Sequence, residues 1–267
     1  MNNSIVELLN AAANQYNRPE FILDDPISVP HLFTTIQDRE IIGFWTAVLA
    51  WGQRKTIIQS ASKLIQLMDG APYDFIQNHE EKDRARFLEF KHRTFQAIDT
   101  LYFLEFFQYY YKKNNSLESA FSRHLHSNDL TTERALSGFH EEFFSLPFAP
   151  DRTKKHVPTP ARNSTCKRLN MFLRWMVRND DRGVDFGLWD TIKASQLLIP
   201  LDVHVEKIAR KLGLLKRPQT DWRAVLELTE QLRFLDPNDP TRFDFALFGL
   251  GKLESSLLLP KEKLIND

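Results

Sequence analysis

Apolar residues recur along this chain at three- and four-residue intervals, the repeat of a helix with one buried face. Ser4 opens the first such pattern with Ile5, Leu8, Leu9 and Ala12, and it fades near Asn17. A polar stretch carrying Pro19, Pro26 and Pro30 reads as loop to about Gln37. Asp38 then reads as the N-cap of a helix whose face is Ile41, Ile42, Trp45, Val48 and Leu49. Trp51-Gly52-Gln53-Arg54 interrupts, and a further helix carries Ile57, Ala61, Leu64, Ile65 and Met68 to Asp69-Gly70. Pro72 suits a first helical turn, and the charged run from His79 to Arg93 reads as surface. Residues 99–113 are apolar nearly all round, which predicts a central buried helix. Two amphipathic helices are expected over 116–125 and 131–145.

Pro147, Pro150, Pro158 and Pro160 mark an extended loop, the clearest break in the pattern. The helix after it, about 165–178, puts Leu169, Phe172, Leu173 and Met176 on one face and Lys167, Asn170, Arg174 and Arg178 on the other. Residues 180–195 read as loop. Asp202 then caps a helix burying Val205, Ile208, Ala209 and Leu212, with Gly213 as its stop. Asp221 opens another helix to Arg233, a turn follows at Asp236 to Pro240, and FDFALFGLG begins the last element. Strand-like alternation never lasts more than a few residues. The pattern predicts an all-α fold.

Composition agrees with packed helices: 9 glycines and 21 phenylalanines in 267 residues leave little room for a Gly-rich nucleotide fold. The one cysteine, Cys166, excludes an internal disulfide and any four-cysteine zinc or iron–sulfur site, and no metal or cofactor is expected. No leader-like pattern and no membrane-length apolar run are present, so a soluble, cytoplasmic protein without a membrane partner is expected.

Charge changes the picture locally. The chain carries 35 basic and 35 acidic residues, yet Arg152, Lys154, Lys155, Arg162, Lys167, Arg168, Arg174 and Arg178 follow one another with no Asp or Glu among them. Such segregation points to an acidic partner. Lys167 has cationic neighbours, Arg168 and Arg174, which favour a neutral, nucleophilic amine. A helix start after a Pro-rich loop also offers free backbone amides to phosphate. A carboxylate at a helix N-cap, as at Asp202, is routine structural chemistry, but it is also rigidly held. His204 belongs to an Asp-x-His run too small for a metal site, and His124 and His126 read as surface. His92-Arg93 has residue types suited to phosphate or base contact. The five tryptophans are core by default, though one at a surface could stack on a base.

The run Ile199-Pro200-Leu201-Asp202-Val203-His204-Val205 resembles the aspartate motif of the helix-hairpin-helix DNA glycosylases. Lys167 lies where the bifunctional members carry a catalytic lysine, and its 35-residue separation from Asp202 is near that of the archaeal 8-oxoguanine branch. Residues 47–53 resemble the end of the family's N-terminal helix, with Gln53 matching the polar residue that fills the gap left by an extruded base. Residues 245–251 resemble a late helix of the same fold, and the whole chain resembles a bacterial family related to these enzymes. The glycine-rich hairpin of the family is replaced here by His156 to Ser164, without glycine. Arg162, Asn163 and Ser164 stand as side-chain substitutes for its phosphate contacts.

The resemblance implies one two-lobed unit over 1–267: a helical lobe at about 38–145, hairpin and catalytic helices at 150–213, and 1–37 with 214–267 packing as the second lobe. It implies a monomer acting on double-stranded DNA with a damaged base, 8-oxoguanine first. Lys167 would form a Schiff base with the sugar and Asp202 would stabilise the charge that develops. Gln53, Arg54, Arg162, Asn163, Ser164, Arg168, Arg174, Arg178 and His204 are the expected DNA contacts. Trp51, His92, Arg93 and Phe245 are the expected base pocket. A non-catalytic DNA- or RNA-binding module and a glycosylase for another lesion are the alternatives.

Overall fold

The computed structural model describes residues 3–257, and among them it is helical with no strand beyond a single two-residue bridge between His92 and Phe95. The outer parts of the expected 1–37 and 214–267 packing segments, residues 1–2 and 258–267, lie outside the described residues. The helices are α1 (Asn3–Tyr16), α2 (Ile36–Leu49), α3 (Arg54–Leu67), α4 (Pro72–Asn78), α5 (Ala97–Tyr111), α6 (Glu118–Ser122), α7 (Glu133–Phe143), α8 (Lys167–Val177), α9 (Val203–Lys211), α10 (Trp222–Arg233) and α11 (Phe243–Leu257). None is long and apolar enough to cross a membrane.

Two helices are largely buried, α2 on all sides from Glu40 to Leu49 and α5 on all but the edge that exposes Ile98, Glu105 and Tyr109. α5 hides Tyr102, Phe103, Leu104, Phe106, Phe107, Tyr110 and Tyr111. α2 hides every residue from Glu40 to Leu49. Phe44 of α2 meets the rings of Phe103, Phe107, Phe139, Phe143 and Phe172, so α5, α7 and α8 close around it. Gly43 lets α8 approach: a Cβ there would lie 2.9 Å from Met176 Cε. Among these rings sits one carboxyl, Glu40, fully buried. It accepts from Tyr111 Oη, Ser116 Oγ, the Leu117 amide and Trp189 Nε1 at 2.5–2.9 Å. Burial pushes its pKa up and these four bonds pull it back. The Trp189 bond ties the irregular 180–195 segment to α2, and the other three tie the end of α5 and residues 116–117 to it. Around a second centre, α11 packs against both α1 and α9.

Two expectations are corrected. Thr35, not Asp38, caps α2, because its hydroxyl accepts from the Asp38 amide. Asp38 occupies the first turn instead and accepts from the Tyr73 amide at 2.8 Å, fastening α4. The charged 79–93 run is not simply surface. Phe87, Phe90 and His92 are buried within it, because its apolar residues come singly between the charges and each still finds the core.

Candidate active site

A cavity of about 640 Å³ opens where α8, α11, the start of α3, the 3-10 turns near 21–26 and the approach to α9 come together. Lys167 and Asp202 both line it, and Lys167 Nζ lies 3.3 Å from Asp202 Oδ2. Each is placed by a helix start. Lys167 is the first residue of α8, and Asp202 is the N-cap of α9. Asp202 Oδ1 accepts from the His204 and Val205 amides, both at 2.9 Å, which leaves Oδ2 to face the lysine. The carboxylate is therefore fixed by its structural bonds and presented by them. It is 10% exposed and the lysine 35%, so the pair sits inside the cavity with a route to solvent.

The glycine-free hairpin reaches this arrangement by other means. Thr159 caps a 3-10 turn at Pro160–Arg162, and Asn163 ends it with φ +57°, in the left-handed region where a glycine would ordinarily serve. Cys166, with φ +48°, repeats the device just before α8. Its thiol is buried and pushed up to about 12 by desolvation. Asn163 Nδ2 donates to Asp221 Oδ2, and Asn163 O accepts from the Trp222 amide, so the turn is bound to the start of α10. Ser164 Oγ accepts from the Cys166 amide at 3.2 Å. Asn163 and Ser164 thus hold the hairpin's own shape, while Arg162 is exposed.

Three arginines expected on DNA are committed within the protein. Arg174 is buried, with Nε 3.2 Å from Asp185 and Nη1 bonded to Asp244. Arg178 is buried too, with partners Asp180, Asp185 and Asp239 at 2.7, 3.1 and 2.8 Å. Arg168 donates to the backbone oxygens of Val48 and Lys155, and burial lowers its pKa to about 10. Arg174 and Arg178 are turned inward onto aspartates that lie 2 to 70 residues away in sequence, and Arg168 onto backbone carbonyls. Lys167 pairs with the Asp202 carboxylate.

The other expected contacts divide. Trp51 lines the cavity, with the Arg93 guanidinium 4.5 Å from its ring centroid. Gly52, at φ +106°, makes that approach possible, since a Cβ would fall 2.7 Å from Arg93 Nη1. Gln53 is exposed beside them. His92 is buried and structural. Its Nδ1 lies 2.8 Å from Ser60 Oγ and its Nε2 3.3 Å from the Trp51 carbonyl, an acceptor, so Nε2 donates and Nδ1 accepts from the serine. It does not line the cavity. His204 lines the cavity edge-on to Phe248, with ring centroids 5.7 Å apart. Phe245 lines it as well, but Arg174 stands 4.3 Å and Arg178 5.4 Å from its ring. Arg54 belongs to the cavity wall rather than to an open face: Nη2 is 3.2 Å from Asp25 Oδ2, and the guanidinium lies over the Phe248 ring.

Sequence reasoning missed Phe21, Asp25, Trp175, Asp244 and Phe248, all of which line the cavity. Asp244 and Phe248 stand four apart on α11, a spacing that puts two side chains on one face, and that signal was available. Asp25, in a Pro-rich loop, carried none. Burial pushes the Asp244 carboxyl up to about 7, Arg174 pulls it back, and Asp202 adds to the rise. Among the described residues no group of three or more His, Cys, Asp or Glu side chains is set to hold a metal ion.

The described residues thus form an all-helical fold with a lysine–carboxylate pair lining an aromatic cavity. Over residues 25–253 the chain matches the family described as "Protein of unknown function (DUF2400)", and it belongs to that family. No curated protein and no solved structure matches it.

Proposed function

We propose that the protein is a DNA repair glycosylase with β-lyase activity, excising an oxidised purine, 8-oxoguanine first, from duplex DNA through a Schiff base on Lys167. The observation that carries the reading is the 3.3 Å approach of Lys167 Nζ to Asp202 Oδ2 inside the cavity. A volume of about 640 Å³ suits an extruded base. The amine of Lys167, as the free base, attacks the sugar C1′. The N-glycosidic bond breaks, and its electron pair leaves with the base, which takes up a proton. Opening of the sugar ring gives the iminium. Loss of a proton from C2′ then expels the 3′ phosphate. Asp202 stabilises positive charge at the sugar and accepts the proton that Lys167 must shed.

A non-catalytic binding module would rely on the basic segment as a surface. The internal pairing of Arg174 and Arg178 and the carbonyl contacts of Arg168 remove much of that support. The test is borohydride trapping on duplex DNA containing 8-oxoguanine. Wild type is expected to give a covalent adduct that Lys167→Gln abolishes and Asp202→Asn reduces by at least about a hundredfold. No adduct and no base release from wild type would sink the reading.

A further inference from the structure

A second groove, of about 450 Å³, shares no residue with the cavity of Lys167. It runs between α5 and the 3-10 helix Glu81–Phe87, which pack together. Its apolar lining is Ala85, Leu88, Ile98, Leu101, Phe148 and Pro150. Three of these are large and open to solvent: Leu88 at 56%, Ile98 at 46% and Phe148 at 97%. Single exposed apolar residues are ordinary, but here they adjoin on one groove. Phe148 also holds φ +64°, in the left-handed region that a bulky side chain avoids. Its side chain stands clear of the core, so folding gives no reason for a phenylalanine there. The free charge of the groove is negative. Glu81 and Glu105 border it, and no hydrogen bond or ion pair engages either among the described residues. Arg84, the cation of the lining, is taken by His79 and Gln108, each at 3.2 Å.

We infer that the groove docks a helix of another protein, one that lays apolar side chains on Leu88, Ile98 and Phe148 and carries lysine or arginine at its flanks. A trough between two helices accepts an amphipathic helix by its apolar face. Glu81 and Glu105 supply the complementary charge and set its orientation. The same carboxylates argue against other occupants. They repel nucleic-acid phosphates, and in a two-fold pair of this chain the groove would face itself, carboxylate against carboxylate. The inference is independent of the glycosylase reading, which uses none of these residues.

The experiment is fluorescence anisotropy with the purified full chain and a fluorescein-labelled amphipathic helix of leucine and lysine, about 15 residues long. A counterpart with glutamate in place of lysine is measured beside it. The lysine peptide is expected to bind at least about tenfold more tightly than the glutamate peptide. Phe148→Ser is expected to weaken the lysine peptide by at least about tenfold, the effect of truncating an aromatic anchor. So exposed a side chain can be removed without disturbing the core. Glu81→Lys combined with Glu105→Lys is expected to reverse the preference between the two peptides. No binding of the lysine peptide, equal binding of both, or lysine-peptide binding that neither variant changes would overturn the inference. Light scattering is expected to show a monomer. A dimer that Phe148→Ser dissociates would give the groove to a second copy of the chain and overturn it as well.

Discussion

Asp202 serves the fold with one oxygen and the cavity with the other, and the two tasks separate by substitution. Oδ1 holds two backbone amides of α9, and Oδ2 faces Lys167. Asp202→Ala removes both and is expected to lower stability by about 1 kcal/mol, the usual worth of an N-cap. Asp202→Asn keeps an oxygen for the amides, and its stability is expected to stay within about 0.5 kcal/mol of wild type, while trapping falls by at least about a hundredfold in both. Urea unfolding beside the trapping assay checks this. Equal destabilisation of the two variants would mean that the charge, not the cap, stabilises α9. Asp202 was legible in the sequence because a cap is a local device. Arg174 was not legible. Its position on the face opposite Leu169 and Met176 suggests solvent, and only the distant Asp185 and Asp244 make its burial tolerable.

At the level of elements, the inward face of α8 rests on a buried network in which Arg174 and Arg178 meet Asp180, Asp185, Asp239 and Asp244. Four carboxyls face two guanidiniums, and burial raises Asp185, Asp239 and Asp244, the last to about 7. A carboxyl raised in the fold stays protonated there while the unfolded chain has already ionised. The folded state then binds more protons, and stability falls as pH rises from the ordinary carboxylate range to about 7. Asp244→Asn removes that titration. Thermal melts from about pH 5 to 8 are expected to fall less steeply for Asp244→Asn than for wild type. Identical slopes would assign the pH dependence to other groups. The helices themselves were legible, since α5 and α8 follow from apolar spacing. The hairpin was not, because left-handed asparagine and cysteine stand where glycine would have announced the turn.

Over the whole molecule, the basic segment is far less of a surface than its count of charges implies. Arg152 pairs with Asp99, Lys154 with Asp151 and Lys167 with Asp202, in addition to the buried arginines. Exposed Lys155 and Arg162 show no carboxylate partner among the described residues. Each phosphate neutralised contributes about −0.9 to the slope of log K against log salt, so the full segment would give roughly −7. Fluorescence anisotropy on duplex DNA is expected to give a slope shallower than about −4, and a slope near −7 would mean that the internal pairs open on DNA. Local pattern gave away the all-helical class, the apolar face of α2, the largely buried α5 and the cap at Asp202, because periodicity and capping act within a few residues. Tertiary structure decided which cations remain free and brought Asp25, Arg54, Trp175, Asp244 and Phe248 around Lys167. Charge pairing and cavity walls are made between residues far apart in the chain, and no local pattern records which of them will meet.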